Sequence, residues 1–370
     1  MRFVPINSVK EGSQLAKTIF DKEGRILLSE GVKLSESLLR RVKANNIFSI
    51  YIHDEYSQNE IEDIIKPELR QKAIKLIKDS FASFTKGINQ NSNNKMQAVK
   101  IKYEYTNSIN QLVKDILDDI LSRQNIFVNL VDIKSMDNYT YEHSVNVTLL
   151  SLIIGIELNL NKDQLFELAV GAMLHDLGKT FVPVEILFKA GALKAEEFEI
   201  IKNHTTKGYE YLKNNIDISG VSRMVILQHH ERIDGKGYPL NLKGQEINNL
   251  AKIVTIADVY DALTSDRPYR RAMSPNEALE YLMGGVDRFF EYQYVKAFIR
   301  RVIPYPEGTL VKLSSGDIAV IDKVNVEYPL RPQVRVIKQF KDRQELIGLD
   351  LLNEKNLTIL GVHYDAPAAL

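Results

Sequence analysis

From about residue 125 to residue 303 the chain is a near-continuous succession of helical apolar patterns, over 141–158, 162–175, 195–213, 219–230, 250–264, 275–283 and 294–302. Apolar side chains recurring at helical spacing mark helices with a face to bury. An all-α domain built as a bundle is the fold this stretch predicts.

The flanks read differently. Residues 1–55 hold short β-branched runs (Phe3 to Ile6, Ile19 with Phe20, Ile26 to Leu28) separated by the Asp21-Lys22-Glu23-Gly24 turn and by Gly31. A helix over 36–45, with Leu38, Leu39 and Val42 on one side, and a strand over 47–52 complete a small α+β module. Residues 56–125 carry helical patterns over 68–84 and 96–121 around a polar loop at 89–95. Pattern alone leaves this region open as a linker bundle, a sensor or a dimer contact. After Pro304-Tyr305-Pro306 the period changes to alternation, with strands over 309–313, 318–324 and 333–337 around the Ser314-Ser315-Gly316-Asp317 turn. The expected organisation is therefore an α+β module at 1–55, a helical linker or sensor region at 56–125, the helical domain at 126–303 and a β-rich module at 304–370.

Composition removes several classes of function. The 48 Lys and Arg equal the 48 Asp and Glu, and such neutrality argues against a protein that coats nucleic-acid polymers, which usually has a basic footprint. The longest apolar run, 147–158, is interrupted by Ser151, Gly155 and Glu157. It falls short of the roughly 20 residues a membrane span needs, and the N-terminal residues lack a signal-peptide core. A soluble, cytoplasmic protein is the expectation. The chain has no Cys, so any metal must be held by His, Asp and Glu.

Five of the seven His (143, 175, 204, 229 and 230) fall in the helical domain. His175-Asp176 ends an apolar helix bearing Leu168, Ala169, Val170, Ala172, Met173 and Leu174, and is followed by Leu177-Gly178-Lys179. A carboxylate can bridge two cations with its two oxygens, and neutral imidazoles suit Fe, Mn or Zn. The vicinal pair therefore favours a dinuclear site, with His229-His230 and Asp258 as further ligands. His53 and His363 have no partners in sequence and are read as ordinary residues.

The strings HDLGK at 175–179, HHERIDGKGYP at 229–239, YTYEHS at 139–144 and DVYDALTSDRPYR at 258–270, together with His204, closely resemble the HD-GYP subgroup of the HD phosphohydrolase superfamily. The resemblance covers about residues 130–300. HDxGK alone is shared by phosphohydrolases of many substrates, and the HHE and DGxGYP elements at this distance narrow the match.

The resemblance implies an HD-type metallohydrolase bundle that hydrolyses cyclic di-GMP, a bacterial second messenger. Its metals would be held by His143, His175, Asp176, His204, His229, His230 and Asp258, with Asp176 bridging. Lys179 would offset phosphate charge or protonate the leaving group, making it catalytic alongside Asp176. Gly237 and Tyr238 would form the pocket lip, Arg267 and Arg270 would hold the phosphates, and Arg271 is read as a solvated residue. Asp261 would orient a ligand or water at the substrate pocket. Fe or Mn is the expected metal pair. Some relatives carry a Glu where this chain has Tyr139 and bind three metals, so two are expected here, with pGpG as main product and slow passage to GMP. The alternatives are a catalytically silent cyclic dinucleotide receptor, or the same chemistry on 3′,3′-cyclic GMP-AMP. Partner contacts, with a second copy, a diguanylate cyclase or another signalling protein, stay open.

Overall fold

The computed structural model describes residues 1–21, 25–45, 47, 49–54, 63–89, 95–123, 128–129, 139–189, 191–265, 273–340 and 343–365. The N-terminal module contains β1 (Arg2–Pro5), β2 (Gln14–Leu15), β3 (Ile19–Phe20), β4 (Ile26–Leu28), α1 (Glu36–Ala44) and β5 (Ser49–His53). Strand β5 is central in an antiparallel sheet of order β1-β5-β2, and β3 pairs with β4. Ser35 caps α1 by accepting the Leu38 N–H at 3.4 Å, one of the donors a helix start leaves unpaired. Val4, Leu15, Ile19, Leu34, Val42 and Ile50 form the core of this module.

The helices that follow are α2 (Pro67–Asn89), α3 (Lys95–Leu121), α4 (Tyr139–Glu157), α5 (Lys162–Leu174), α6 (Val184–Leu187), α7 (Ala195–Lys202), α8 (His204–Leu212), α9 (Gly220–Gln228), α10 (Asn249–Thr264), α11 (Pro275–Gly284) and α12 (Tyr292–Arg301). Helices α4 and α10 are buried on nearly every side, as a helix at the middle of a bundle must be, and they pack on each other. Helix α5 packs on α4 and α9. A capping box starts it: Asn161 Oδ1 accepts the Gln164 N–H at 2.9 Å and Gln164 Oε1 accepts the Asn161 N–H at 3.0 Å.

The core does not stop at residue 125. Ala73, Ile77 and Phe81 of α2 and Ile109, Val113 and Ile116 of α3 belong to the same buried cluster as α4, α5 and α10. The two helices run antiparallel: Lys72 reaches Asp115 at 2.9 Å, and the Phe84 and Tyr105 rings stand 5.9 Å apart. A sequence pattern locates apolar stripes but not what they are buried against, so the expected boundary falls inside a continuous core. The single helix expected over 195–213 is two, broken at Asn203, which ends α7 and precedes α8.

The C-terminal module begins after β7 (Val302–Ile303), which pairs in parallel with β6 (Val128–Asn129). It comprises β8 (Leu310–Leu313), β9 (Ile318–Lys323), β10 (Gln333–Gln339), β11 (Gln344–Asp350) and β12 (Ile359–Val362), in the antiparallel order β11-β10-β9-β8-β12. Strands β11 and β12, which the sequence reading did not include, are the two edges of this sheet. Arg2 of β1 is buried, paired with Asp54, and donates to the Tyr364 carbonyl at 2.8 Å, tying the N-terminal sheet to the C-terminal segment. Among the described residues no helix is long and apolar enough to cross a membrane.

Candidate metal centre

The site is assembled at helix ends. His175 follows the last residue of α5, His229 follows the last residue of α9, and His204 opens α8. Their Nδ1 atoms lie 2.7, 2.9 and 2.7 Å from the carbonyls of Ala172, Ile226 and Ile201 respectively. A carbonyl only accepts, so each Nδ1 carries the proton and each Nε2 presents a lone pair. Last-turn carbonyls lack the i+4 N–H partner of the helix interior and have a lone pair available for this orienting role.

These lone pairs converge with two carboxylates. Asp176 Oδ2 stands 3.5 Å from His175 Nε2 and 3.6 Å from His143 Nε2, while its Oδ1 stands 3.5 Å from His204 Nε2. Asp258 Oδ1 lies 3.1 Å from His143 Nε2 and its Oδ2 lies 3.7 Å from His230 Nδ1. Three sets of ligand atoms, His204/His229/His230, His143/His175/Asp258 and His175/Asp176/His229, each lie within 4.8 Å of one another. All seven residues expected to bind metal are thus in one cluster, six of them buried and His230 partly exposed.

The cluster fits cations on two grounds. His175 Nε2 and Asp176 Oδ1 are buried without a hydrogen-bond partner, which is costly for any polar atom. Moreover, the Nε2 atoms of His204 and His229 face each other at 3.2 Å although both rings hold their proton on Nδ1. Two lone pairs at that distance repel unless a cation or proton mediates.

Electrostatics favour the ligating forms of these groups except His143. Burial, then neighbouring positive charge, lowers the His230 pKa to about 4, partly against the pull of Asp258. Burial likewise lowers His204 to about 3, and it lowers His175 and His229. Burial resists ionisation of Asp176, but Lys179 and the surrounding imidazoles hold its carboxyl well below the usual range. Burial opposes protonation of His143 too, yet hydrogen bonds to Asp258 and Asp261 raise it to about 9. Ligation through His143 Nε2 would therefore require that nitrogen to give up its proton.

Two motif glycines are explained by contact. A Cβ at Gly178 would fall 1.8 Å from the His204 carbonyl oxygen, so only glycine lets the turn after Asp176 touch the start of α8. A Cβ at Gly237 would meet the Arg232 nitrogen at 2.3 Å, which gives this residue a packing place in the loop. Lys179 Nζ lies 2.6 Å from Asp176 Oδ2 and keeps part of its side chain at the surface. The Tyr238 ring is 4.8 Å from that of His230. Burial, then the Asp258 and Asp176 charges, raises its hydroxyl pKa, so the hydroxyl stays a donor.

Asp261, expected to orient a ligand or water, sits behind the candidate ligand His143, which it is placed to orient. Its Oδ2 accepts from His143 Nδ1 at 2.7 Å and its Oδ1 accepts from Asn146 Nδ2 at 3.2 Å. Both oxygens serve protein partners, and the residue is buried. Arg267, Arg270 and Arg271 lie outside the described residues, as does the side chain of Tyr139. His53 in β5 and His363 after β12 belong to none of the ligand sets.

Two residues without an assigned role in sequence are placed at the site. Glu231 accepts the N–H groups of Leu240 at 2.6 Å and Leu242 at 3.0 Å, which holds the Tyr238 loop closed. Its adjacency to His229-His230 was the available signal. Asn146, one helical turn after His143, had only its spacing to announce it.

Residues 122–290 match the family model described as HD domain. A cyclic di-GMP phosphodiesterase of Pseudomonas aeruginosa is 38% identical over 225 residues, covering 61% of this chain and 54% of that protein. A cyclic di-GMP phosphodiesterase of Thermotoga maritima is 36% identical over 188 residues, 50% of each chain. A 3′,3′-cGAMP-specific phosphodiesterase of Vibrio cholerae is 38% identical over 166 residues, 45% of this chain and 38% of that one. The chain thus spans about half the length of the first two of these curated relatives, and less of the third.

Proposed function

We propose, for a chain whose residues 122–290 match the HD domain family model, a metal-dependent phosphodiesterase that opens cyclic di-GMP mainly to linear pGpG and passes slowly to GMP. The observation that carries this reading is the position of Asp176. One of its oxygens points toward His204 and the other toward His143 and His175. Two cations would be held on either side of it, one by His143, His175 and Asp258, the other by His204, His229 and His230. Iron or manganese suits a mixed imidazole and carboxylate donor set without thiolates. With Tyr139 at the position of the further carboxylate, two metals are proposed rather than three.

Divalent cations at such a site supply Lewis acidity to a phosphodiester oxygen and lower the pKa of water toward neutrality. The chain's own groups do the remainder. Lys179, held by Asp176, presents its ammonium to a phosphate and can release a proton to the departing oxygen. The Tyr238 hydroxyl, kept protonated, donates to a bound nucleotide, and Arg267 with Arg270 would grip phosphate oxygens. A signalling partner, whether a second copy, a diguanylate cyclase or another protein, would find exposed Phe198 and Leu240 near the Tyr238 loop.

A second reading keeps the chemistry and changes the substrate to 3′,3′-cyclic GMP-AMP, supported by the 38% identity to the Vibrio cholerae protein. The test is turnover by purified protein loaded anaerobically with Fe or Mn, on a panel of cyclic dinucleotides with product identification. Linear pGpG from cyclic di-GMP is expected. Faster cleavage of cyclic GMP-AMP would reassign the substrate, and tight nucleotide binding without cleavage would make the protein a receptor.

A further inference from the structure

We propose that Arg70, on α2, is a positioning residue for His143, acting through Asn146 and Asp261. Arg70 Nη1 donates to Asn146 Oδ1 at 2.6 Å. Asn146 Nδ2 donates to Asp261 Oδ1 at 3.2 Å, and Asp261 Oδ2 accepts from His143 Nδ1 at 2.7 Å. Arg70 is 76 residues from Asn146 in sequence, and Asp261 is 115 residues from it. Three segments of the chain therefore meet in one file of hydrogen bonds that ends on the imidazole.

Donor chemistry gives the file its direction. An amide side chain can point either way, with oxygen and nitrogen nearly interchangeable in shape. A guanidinium only donates, so Arg70 draws the Asn146 oxygen toward itself and leaves the amide N–H for Asp261. Asp261, held at one oxygen, then accepts the Nδ1 proton of His143 with the other. That fixes the imidazole tautomer in which Nε2 faces Asp258 and the ligand cluster. Asn146, Asp261 and His143 are buried, so an amide turned the other way would set its oxygen against a carboxylate with no water to intervene. Helix α2 lies before residue 122, where the match to the HD domain begins, yet it reaches a ligand of that domain. The α2 and α3 pair is thereby part of what tunes the centre.

This inference rests on His143 being a metal ligand, so the experiment reads metal affinity and not turnover. Mn²⁺ affinity of the full chain is measured by competition with a fluorescent chelator for Arg70→Met, Asn146→Ala, the double variant, Arg70→Lys and His143→Ala, with melting temperatures alongside. Removing the direct outer partner of a ligating His weakens metal binding by about 10–100-fold, and Arg70 and Asn146 act on His143 only through Asp261, so Arg70→Met and Asn146→Ala should each fall at the lower end, about tenfold weaker for Mn²⁺. The double variant should be no weaker than either single one, because both cut the same file. Arg70→Lys, which still donates, should recover most of the affinity. Ile77→Ala, a core truncation on the same helix, should lower the melting temperature and leave affinity alone. Unchanged affinity in Arg70→Met, or additive losses in the double variant, would overturn the proposal while His143→Ala still binds weakly. If Arg70→Met does not fold, Asn146→Ala decides by the same criterion. Unchanged affinity in His143→Ala would instead remove His143 from the metal site and leave the file without an object.

Discussion

The backbone of Gly178 lies so close to the carbonyl of His204 that a single added carbon would stand 1.8 Å from that oxygen. The turn that carries Asp176 and the helix that carries His204 therefore meet through bare backbone, and the two ligands approach to 3.5 Å. What looks in sequence like a spacer in a short motif is the contact that brings the Asp176 turn against the start of the helix carrying His204.

Gly178→Ala should consequently separate the two ligands. Overpacking in an interior typically costs about 1–3 kcal/mol, and a clash with backbone lies at the upper end because no side chain can swing away. The expected outcome is a lower melting temperature together with substoichiometric metal, read by calorimetry and elemental analysis. A variant with full metal content would show that the contact is not what holds Asp176 to His204.

Asp176→Ala removes the carboxylate that stands between the two groups of imidazoles. Loss of an outer partner already costs about 10–100-fold in metal affinity, so loss of this residue should cost more than about a hundredfold. The apolar packing of α5 and α9 around it is untouched, so circular dichroism should report a folded protein. Retained activity would remove Asp176 from the mechanism.

Lys179→Met should leave metal content near that of the parent, because the ammonium touches Asp176 and ligates nothing. Removing one preorganised charge-stabilising group generally costs about 10²–10³ in kcat. A fall of that order in kcat with a small change in KM is expected from steady-state kinetics. A change confined to KM would make Lys179 a binding residue only.

Metal-free protein should have a bounded range of pH stability. The folded pKa values of His204 and His230 lie at about 3 and about 4, below the ordinary value near 6.5. The unfolded chain therefore binds more protons than the native one between those values, and stability falls as pH drops below about 6.5. His143 acts oppositely. Its folded pKa of about 9 gives stability that is complete below about 6.5 and is lost as pH rises through 9. Each group contributes at most about 1.4 kcal/mol per pH unit. Melting temperatures of chelator-stripped protein should fall on both sides of a maximum near neutrality, and a steady rise toward acid would contradict these assignments.

Much of this centre could be read before any coordinates. The residues proposed to hold metal announce themselves by local adjacency, as in His175-Asp176 and His229-His230, and by the apolar helices that deliver them. The helices of the bundle follow from apolar periodicity, with ends mostly displaced by a residue or two. The break at Asn203 did not show in the pattern, because apolar spacing continues across it while the backbone turns to present His204.

The amino-acid sequence by itself determined which side chains could hold a metal, that no thiolate could, and that helices would carry them. Only the tertiary structure decided where Asp261 points, what Gly178 touches, and that α2 shares the core of the helical domain. Ligand identity and helical period are local properties, encoded within a few residues of each site. The file from Arg70 through Asn146 to Asp261 and His143 joins groups far apart along the chain, and hydrogen bonds of that kind exist only after packing has brought their helices together.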